Sequence, residues 1–536
     1  MWLNYLLSAL SGVLYIVACA PLDQYYLMWF AFIPLLIALE RVPKDKQTAW
    51  TYFRLSLTTG FFMGATGYYW LVHATQNYGG VPYIVGVLLY VIFCLTNQLQ
   101  VPAYILLRKT IRANGWARAH WVLAVFVLAT CYVGLDTLIP KLFLDTIGSA
   151  FYKAPWVRQL ADLGGPMAIT FFGIAINELI FESLYFKRLS ALWIPAILGI
   201  FICLYGYYRT TEFNQLRLTH AKDPVFRASL IQGNIGDFMK VAAERGENNA
   251  ITQVMGQYVS LSQTAVKADP KPDAVIWPET AYPAIYERPF SREEARLDQM
   301  LKGLIREMPG YLIFGGYDND SHGLEYNSIF FIKNTQPAEK QVYHKSMLLM
   351  FGETLPFADE FPSLKSLFPT MGFFGRGHGA EIKTVQNAAH DSFNLAPSIC
   401  YEGLFVDFSV DGALLGADAL LNVTNDSWFG PHGEPYQHLS LTRFRSIETR
   451  LPMIRATNTG FTVWIDPSGE QIKETKLFES ALLETAISKR YYPDSPYMAV
   501  ARVFGSNWFA RLFQILTLGV GVWVLRARKT KSGHLR

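Results

Sequence analysis

The chain has 536 residues, 51% of them hydrophobic and 17% charged, with 47 Lys and Arg against 43 Asp and Glu for a formal net charge of +4. That apolar content, with a mean hydropathy of +0.17, is high for a water-soluble protein, and a small positive charge gathered in a few clusters excludes the broad basic face of a nucleic-acid binder. Of the five cysteines, Cys19, Cys94, Cys131 and Cys203 lie in apolar segments and only Cys400 lies outside them, which excludes an internal disulfide in the polar part of the chain.

Taken in chain order, apolar segments near the ~20 residues that cross a bilayer as helix run at about 3–20, 24–40, 55–74, 81–107, 119–138, 160–184 and 190–208, and a last one at 508–525. Segments 81–107 and 160–184 are longer than a span requires, so tilt or a buried polar turn is expected in them. The first ends in IVAC (16–19), which has the look of a lipid-attachment box. Without a basic stretch before it, an uncleaved first span is the expectation. Basic residues cluster at Arg41, Lys44, Lys46 and Arg54, then at Arg108, Lys109, Arg112 and Arg118, then at Lys187 and Arg188. A fourth cluster, Arg526, Arg528, Lys529, Lys531 and Arg536, follows the last span. Eight spans put all four clusters and both termini on one side, the cytoplasmic one by the positive-inside rule. Lys141, Lys153 and Arg158 in loop 139–158 run against this and are outweighed.

Between 210 and 505 no such segment occurs. Short β-type runs stand at 228–235, 273–280, 310–318, 326–333, 393–402, 417–426 and 460–470, with helix-compatible stretches at 239–268, 291–307 and 435–450. Apolar strands alternating with amphipathic helices predict an α/β sandwich with buried sheets. Several strands end on a polar residue: Glu279 in VIWPET, Cys400 and Glu402 in SICYE, Asn425 and Asp426 in NVTND; Lys345 follows an extended stretch. Strand ends of such a sheet line a common crevice. There a Lys can lower the pKa of a thiol and a carboxylate can carry its proton. Cys400 alone reads equally as a buried small hydrophobe.

Other features are weaker. Gly375-Arg-Gly-His-Gly379 follows no strand and opens no helix, which argues against a nucleotide cradle. His432 and His438 have no Cys-x-x-Cys or His-x-x-x-His spacing beside them, so both are expected as solvated loop residues and no metal is expected. Asn327, Asn425 and Asp426 read as strand-end turn formers or as site contacts. In 361–377, Phe361, Leu364, Leu367, Phe368 and Met371 recur at helix spacing and Phe373-Phe374 follow. This is either an arm dipping into the bilayer surface, or a helix covering the sheet.

WPET, HK with FGE eight residues beyond the Lys, CYE and NVTNDSWFG occur in an order that resembles the nitrilase superfamily. Joined to the apolar segments, with YNS (326–328), RATNTG (455–460) and GYYW (67–70), the whole chain is similar to the apolipoprotein N-acyltransferases, the membrane-bound branch of that superfamily. The resemblance implies eight transmembrane helices plus an αββα sandwich. It divides the chain into a transmembrane bundle (1–208), an extracytoplasmic catalytic domain (209–505) and a last span with a basic tail (506–536). It implies Glu279 as general base, Lys345 as oxyanion stabiliser with the Tyr401 N–H, and Cys400 as nucleophile. Glu353, Tyr401 and Glu402 support them, and Asn327, Phe373, Phe374 and Trp428 are candidates for substrate or lid contact. The implied reaction is N-acylation of an S-diacylglyceryl cysteine from a phospholipid, phosphatidylethanolamine being the expected donor, with no cofactor, by a monomer in the bacterial inner membrane. A membrane-tethered amidohydrolase and a degenerate lipoprotein-binding paralogue are the alternatives. The chain departs from the family at Val241, where a Trp is expected, at Ser346, Leu349 and Met350, and at 135–148, where an acidic-then-Arg pair and a Phe-Pro-Trp turn are replaced.

Overall fold

The computed structural model describes every residue except 78–79, 221–224, 245–246, 351, 356–359, 364–372, 491 and 534–536, and every side chain except those and 237, 238, 241, 244, 248 and 527–533. The chain divides into two compact units, the first made of 1–72, 82–211 and 499–536, the second of 73–81 and 212–498.

The first unit is helical. Its elements are α1 (Trp2–Ala18), α2 (Ile33–Glu40), α3 (Ala49–Gly67), the start of α4 (Trp70–Asn77), α5 (Tyr83–Thr96), α6 (Gln100–Arg112), α7 (Gly115–Ala119), α8 (Trp121–Leu138), α9 (Ala161–Tyr185) and most of α10 (Trp193–Thr219). Among the described residues, five helical segments are long and apolar enough to cross a membrane: 83–112, 121–138, 157–185, 189–219 and 508–526. The expected spans at 3–20, 24–40 and 55–74 fall short in different ways. α1 has 17 residues, the second is a 3-10 turn (Tyr25–Trp29) followed by the eight-residue α2, and α3 stops at Gly67.

Small residues bring these helices together, as packing without a hydrophobic gradient requires. A Cβ on Gly12 would lie 2.5 Å from the Thr59 carbonyl of α3, and Thr59 Oγ1 donates to Ser8 O (2.8 Å). Both long segments contain the interruption their length suggested. α5 and α6 are parted at Asn97–Leu99, whose Asn97 and Gln98 are buried, and α9 is kinked at Gly164–Gly165 ahead of Pro166. The basic clusters do more than mark a side. Arg108, only 2% exposed, grips Glu178 through Nε (2.6 Å) and Nη2 (3.0 Å), Tyr104 donates to the same carboxylate (2.7 Å), and Arg112 and Arg188 close on Glu182.

The second unit is a four-layer α-β-β-α sandwich. One sheet has the order β12-β1-β2-β3-β4-β5 and the other β11-β10-β9-β8-β7-β6. Their ranges are β1 Val225–Gln232, β2 Ala274–Ile276, β3 Tyr311–Asn319, β4 Glu325–Lys333, β5 Gln341–His344, β6 Lys383–Gln386, β7 Ser392–Ile399, β8 Ala419–Thr424, β9 Met453–Thr457, β10 Val463–Ile465, β11 Gln471–Glu474 and β12 Ala481–Ser488. Phe226, Leu230, Ile276, Ile313, Phe331, Leu395, Leu421 and Ile454 fill the space between the sheets, so the central strands are apolar on both faces. Helices α11 (Asp237–Glu244), α12 (Asn248–Ala265) and α13 (Arg292–Glu307) belong to the first sheet's outer face, where Val254, Tyr258, Leu301 and Ile305 pack on Trp277 and Phe314. Helices α14 (Val406–Leu414), α15 (Glu434–Thr442) and α16 (Phe444–Thr449) follow the strands of the second sheet. α17 (Pro496–Phe504) and α18 (Trp508–Gly533) end the chain.

Candidate active site

Chain order and sheet order together collect the polar strand ends. Glu279 stands three residues past β2, Lys345 directly after β5 and Cys400 directly after β7. Their segments are tied by backbone: Lys345 N–H donates to Asn327 O on β4 (2.8 Å). Lys345, 1% exposed, points its Nζ at Glu353 Oε1 (2.8 Å) and Glu279 Oε1 (3.4 Å). Burial opposes its charge, yet Glu353, then Glu279, then Cys400 hold its pKa well above the ordinary lysine range, so it is a fixed ammonium.

Asn327 is more than a turn former. It lies within β4 and donates Nδ2 to Glu279 Oε1 (2.8 Å) and to Glu353 Oε1 (3.3 Å). Glu279 Oε2 accepts the Asn425 N–H (2.9 Å), and Glu353 Oε2 accepts the Leu349 N–H (2.9 Å). The two carboxylates therefore share one ammonium and one amide, and each keeps a backbone donor on its far oxygen.

Cys400 occupies the left-handed region at φ 51°, a conformation costing about 1–3 kcal/mol in a non-glycine residue. Burial, then Glu279, push the Cys400 thiol well above its usual range while Lys345 pulls it down. The resting group is a thiol between an acid and an ammonium. Glu402 explains how the bend is held. It is fully buried and accepts from Ile399 N (2.7 Å), Met347 N (3.0 Å), Ser346 N (2.5 Å) and Tyr343 Oη (2.9 Å). It thus staples the Lys345 segment to the strand end before Cys400. Ser346, a departure from the family pattern, supplies one of those donors, and its Oγ accepts Gly379 N–H (2.8 Å). Tyr401 is buried edge-on to Phe405 (5.0 Å).

His438 is not a solvated loop residue. It lies on α15, 5% exposed, with Nε2 3.3 Å from Cys400 O and Nδ1 3.1 Å from Asp426 Oδ1. Asp426 Oδ2 accepts from Arg455 Nη2 (3.0 Å), and Glu434 Oε1 lies 3.3 Å from His438 Nδ1. Burial and Arg455 push His438 down, and Asp426 together with Glu434 more than offsets both, so its pKa lies above the usual value. Burial pushes Asp426 up, but Arg455 and His438 carry it down to about 2. Asp426, Glu434 and His438 each offer a ligand atom within 4.8 Å of the others. The Arg455 guanidinium, 3.1 Å from His438 Nδ1, already supplies the cation there. His432, by contrast, is exposed.

The remaining candidates lie further out. Phe374 stacks on Tyr317 (5.8 Å), which pairs with Asn327 across β3 and β4. Lys240 Nζ lies 6.0 Å from the Trp428 ring centre; with the Asn425 amide turned to suit its neighbours, Oδ1 accepts from Lys240 (2.7 Å) and from Trp428 Nε1 (3.1 Å). In the sequence Lys240 was missed and His438 was set aside as a loop residue, because neither carries a spacing signal. Met350 is half-exposed. The Val241 side chain, and 364–372 of the apolar arm with Leu364, Leu367, Phe368 and Met371, lie outside the described residues.

Residues 227–494 match the carbon-nitrogen hydrolase family and residues 11–179 the apolipoprotein N-acyltransferase N-terminal domain. An apolipoprotein N-acyltransferase of Bdellovibrio bacteriovorus is 30% identical over 98% of this chain and 95% of its own. One from Geobacter metallireducens is 31% identical over 90% and 88%. A solved structure of Saccharomyces cerevisiae Nit3, of the nitrilase superfamily, is 16% identical over 52% of this chain and 94% of that one, with a TM-score of 0.34. With a relative alike over nearly its whole length and both halves matched in order, the chain belongs to the apolipoprotein N-acyltransferase family.

Proposed function

We propose that the protein transfers an acyl chain from a phospholipid to the α-amine of an S-diacylglyceryl cysteine through a thioester on Cys400. The observation that carries this is Lys345 held between Glu279 and Glu353, beside a thiol on a left-handed bend. Glu279 accepts the Cys400 proton as Sγ attacks the ester carbonyl. The oxyanion forms against the Lys345 ammonium, which Glu353 and Asn327 have already fixed. Collapse breaks the ester C–O bond, and Glu279 returns the proton to the departing lysophospholipid oxygen. The incoming amine then attacks the thioester carbonyl and loses a proton to Glu279. Breaking the C–S bond returns that proton to Cys400 and leaves an amide. Holding both lipid-anchored reactants at one carbonyl supplies orientation.

In this reading residues 1–208 form a seven-helix bundle, 209–505 the extracytoplasmic catalytic domain and 506–536 the eighth span with its cytoplasmic tail. Phosphatidylethanolamine is the preferred donor and the monomer is the working unit. Purified protein incubated with an alkyne-labelled phospholipid should acquire hydroxylamine-sensitive label that is absent in Cys400→Ala. A diacylglyceryl-cysteine peptide should then carry the label off as an amide. Equal labelling of Cys400→Ala would refute the acyl-enzyme, and release only as free fatty acid would make the protein a hydrolase.

A further inference from the structure

The helical unit contains a polar knot that the reaction above leaves unused. Asp145 follows α8, and its Oδ2 accepts from Tyr15 Oη (3.1 Å) and Gln98 Nε2 (3.0 Å); Tyr68 also faces it. Its Oδ1 is sealed from solvent and has no hydrogen-bond partner among the described residues. Nearby Asp136 differs. It is held by Lys141 Nζ (2.8 Å) and Thr146 Oγ1 (2.8 Å), and the other bond from Lys141 goes to the Asp145 backbone carbonyl (2.6 Å). The charge of Lys141 is therefore spent on Asp136, and Asp145 takes part in no ion pair among the described residues.

An uncompensated carboxylate within a helix bundle of this kind is costly unless a cation or a proton joins it. Its surroundings say which kind of cation. Tyr68 stacks on Phe143 (5.4 Å) and meets Phe93 (5.1 Å) and Trp70 (5.9 Å), and Trp70 meets Phe143 (5.3 Å). At the start of α6, Gln100 Oε1 is a second buried acceptor without a partner among the described residues, and Gln100 Nε2 donates to Gln98 Oε1 (2.5 Å). One open carboxylate oxygen is too few for a calcium-type ion, which takes about 6–8 oxygens, and the sign repels a phosphate. Aromatic faces beside a carboxylate are what an organic ammonium binds.

We infer that Asp145, with the wall of Tyr68, Trp70, Phe93 and Phe143, is a binding site for a primary ammonium group carried by a lipid-anchored substrate. The inference rests on the acyltransferase reading, in which two substrates carry that group: the ethanolamine head of the donor and the N-terminal amine of the lipoprotein. It also gives a role to the stretch 135–148, where this chain departs from the family pattern.

The test uses the intact protein in vesicles and follows the two half-reactions separately. Asp145→Asn should raise KM by about tenfold or more, the worth of a hydrogen bond to a charged group. If the rise is in Cys400 acylation by phosphatidylethanolamine relative to phosphatidylglycerol of the same chains, the head group is the ligand. If it is in transfer to the diacylglyceryl peptide, the amine is. Asp145→Glu, which keeps the charge, should recover most of either loss. Unchanged KM in both half-reactions, with Cys400 labelled normally, would overturn the site and leave the acyltransferase standing. Absent label in the wild type would instead overturn the acyltransferase. Head-group binding is also read as the melting shift of phosphatidylethanolamine over phosphatidylglycerol vesicles, which should vanish in Asp145→Asn; an equal shift in both proteins would exclude the head group as the ligand. A wild-type comparison guards against misfolding of the variant: if the head group is the ligand, N-acetylated phosphatidylethanolamine, whose nitrogen carries no charge, should show the same rise in KM, and an unchanged KM would exclude the head group.

Discussion

A single carboxylate separates a fixed ammonium from a wandering one. Glu353 supplies the shorter of the two contacts to Lys345 and also caps the Leu349 N–H. Glu353→Gln keeps the shape but removes the charge, so kcat should fall about 10- to 100-fold, the kinetic equivalent of a charge-assisted hydrogen bond. KM for phospholipid should hold, as should the melting temperature within a few degrees. A loss confined to KM would place Glu353 in substrate binding instead. Glu279, Lys345 and Cys400 were singled out because each stands at or just past a strand end and the three recur in a known order; the structure brings Lys345 within 3.4 Å of Glu279. Asn327 was ambiguous for a physical reason: an asparagine near a strand terminus is as good a turn former as a donor to two acids, and only the pairing of β3 with β4 decides. His438 was misread because these partners come from elsewhere in the chain: Cys400 just past β7, Asp426 just past β8 and Arg455 on β9.

At the scale of elements, α15 acts as a buttress under the end of β7. The imidazole of His438 reaches the Cys400 carbonyl, and Asn422 Nδ2 on β8 lies 3.5 Å from the same oxygen, so helix and strand together hold a peptide that a cysteine would not otherwise adopt. His438→Leu should slow iodoacetamide alkylation of Cys400 about tenfold, whereas His438→Gln, which retains an N–H donor, should recover most of the rate. Equal losses in the two variants, following their melting temperatures, would reduce His438 to packing. The central strands β1, β3, β4, β7 and β8 were legible because their apolar runs are continuous. β6, β11 and β12 were not, being short or half-exposed at sheet edges. β9 hid behind the helical pattern of 435–450, which the structure breaks into α15 and α16 at Arg443. The spans show the same limit: hydropathy located each apolar segment, while the break at Asn97–Leu99 and the short α2 depend on which polar groups find partners inside.

For the whole molecule, buried acids set the response to pH. Burial pushes Glu402 and Glu448 up to about 7, and burial with neighbouring Asp426 does the same to Glu434. Each lies above the usual 4.5, so the folded unit keeps protons that the unfolded chain has released. This contribution is fullest below pH 4.5 and is lost as pH climbs through about 7. Asp426, lowered to about 2 from 3.8, has the opposite sign: its contribution is present above pH 3.8 and is lost as pH falls through about 2. The melting temperature of the sandwich in the intact protein should therefore be higher at pH 5.5 than at pH 8. Glu434→Gln, which imitates the protonated acid, should flatten the decline, and an unaltered slope would show that Glu434 does not titrate there. A different consequence follows from the pairing of β12 with β1. Residues 225–232 wait for residues 481–488, so β1 lacks its outer neighbour and stands as the raw edge of the first sheet until β12 has been made. Synthesis proceeds from one end, and closure of so distant a pair is slow. A ribosome that stalls anywhere before β12 thus leaves β1 unpaired on that side, a strand edge open to another chain.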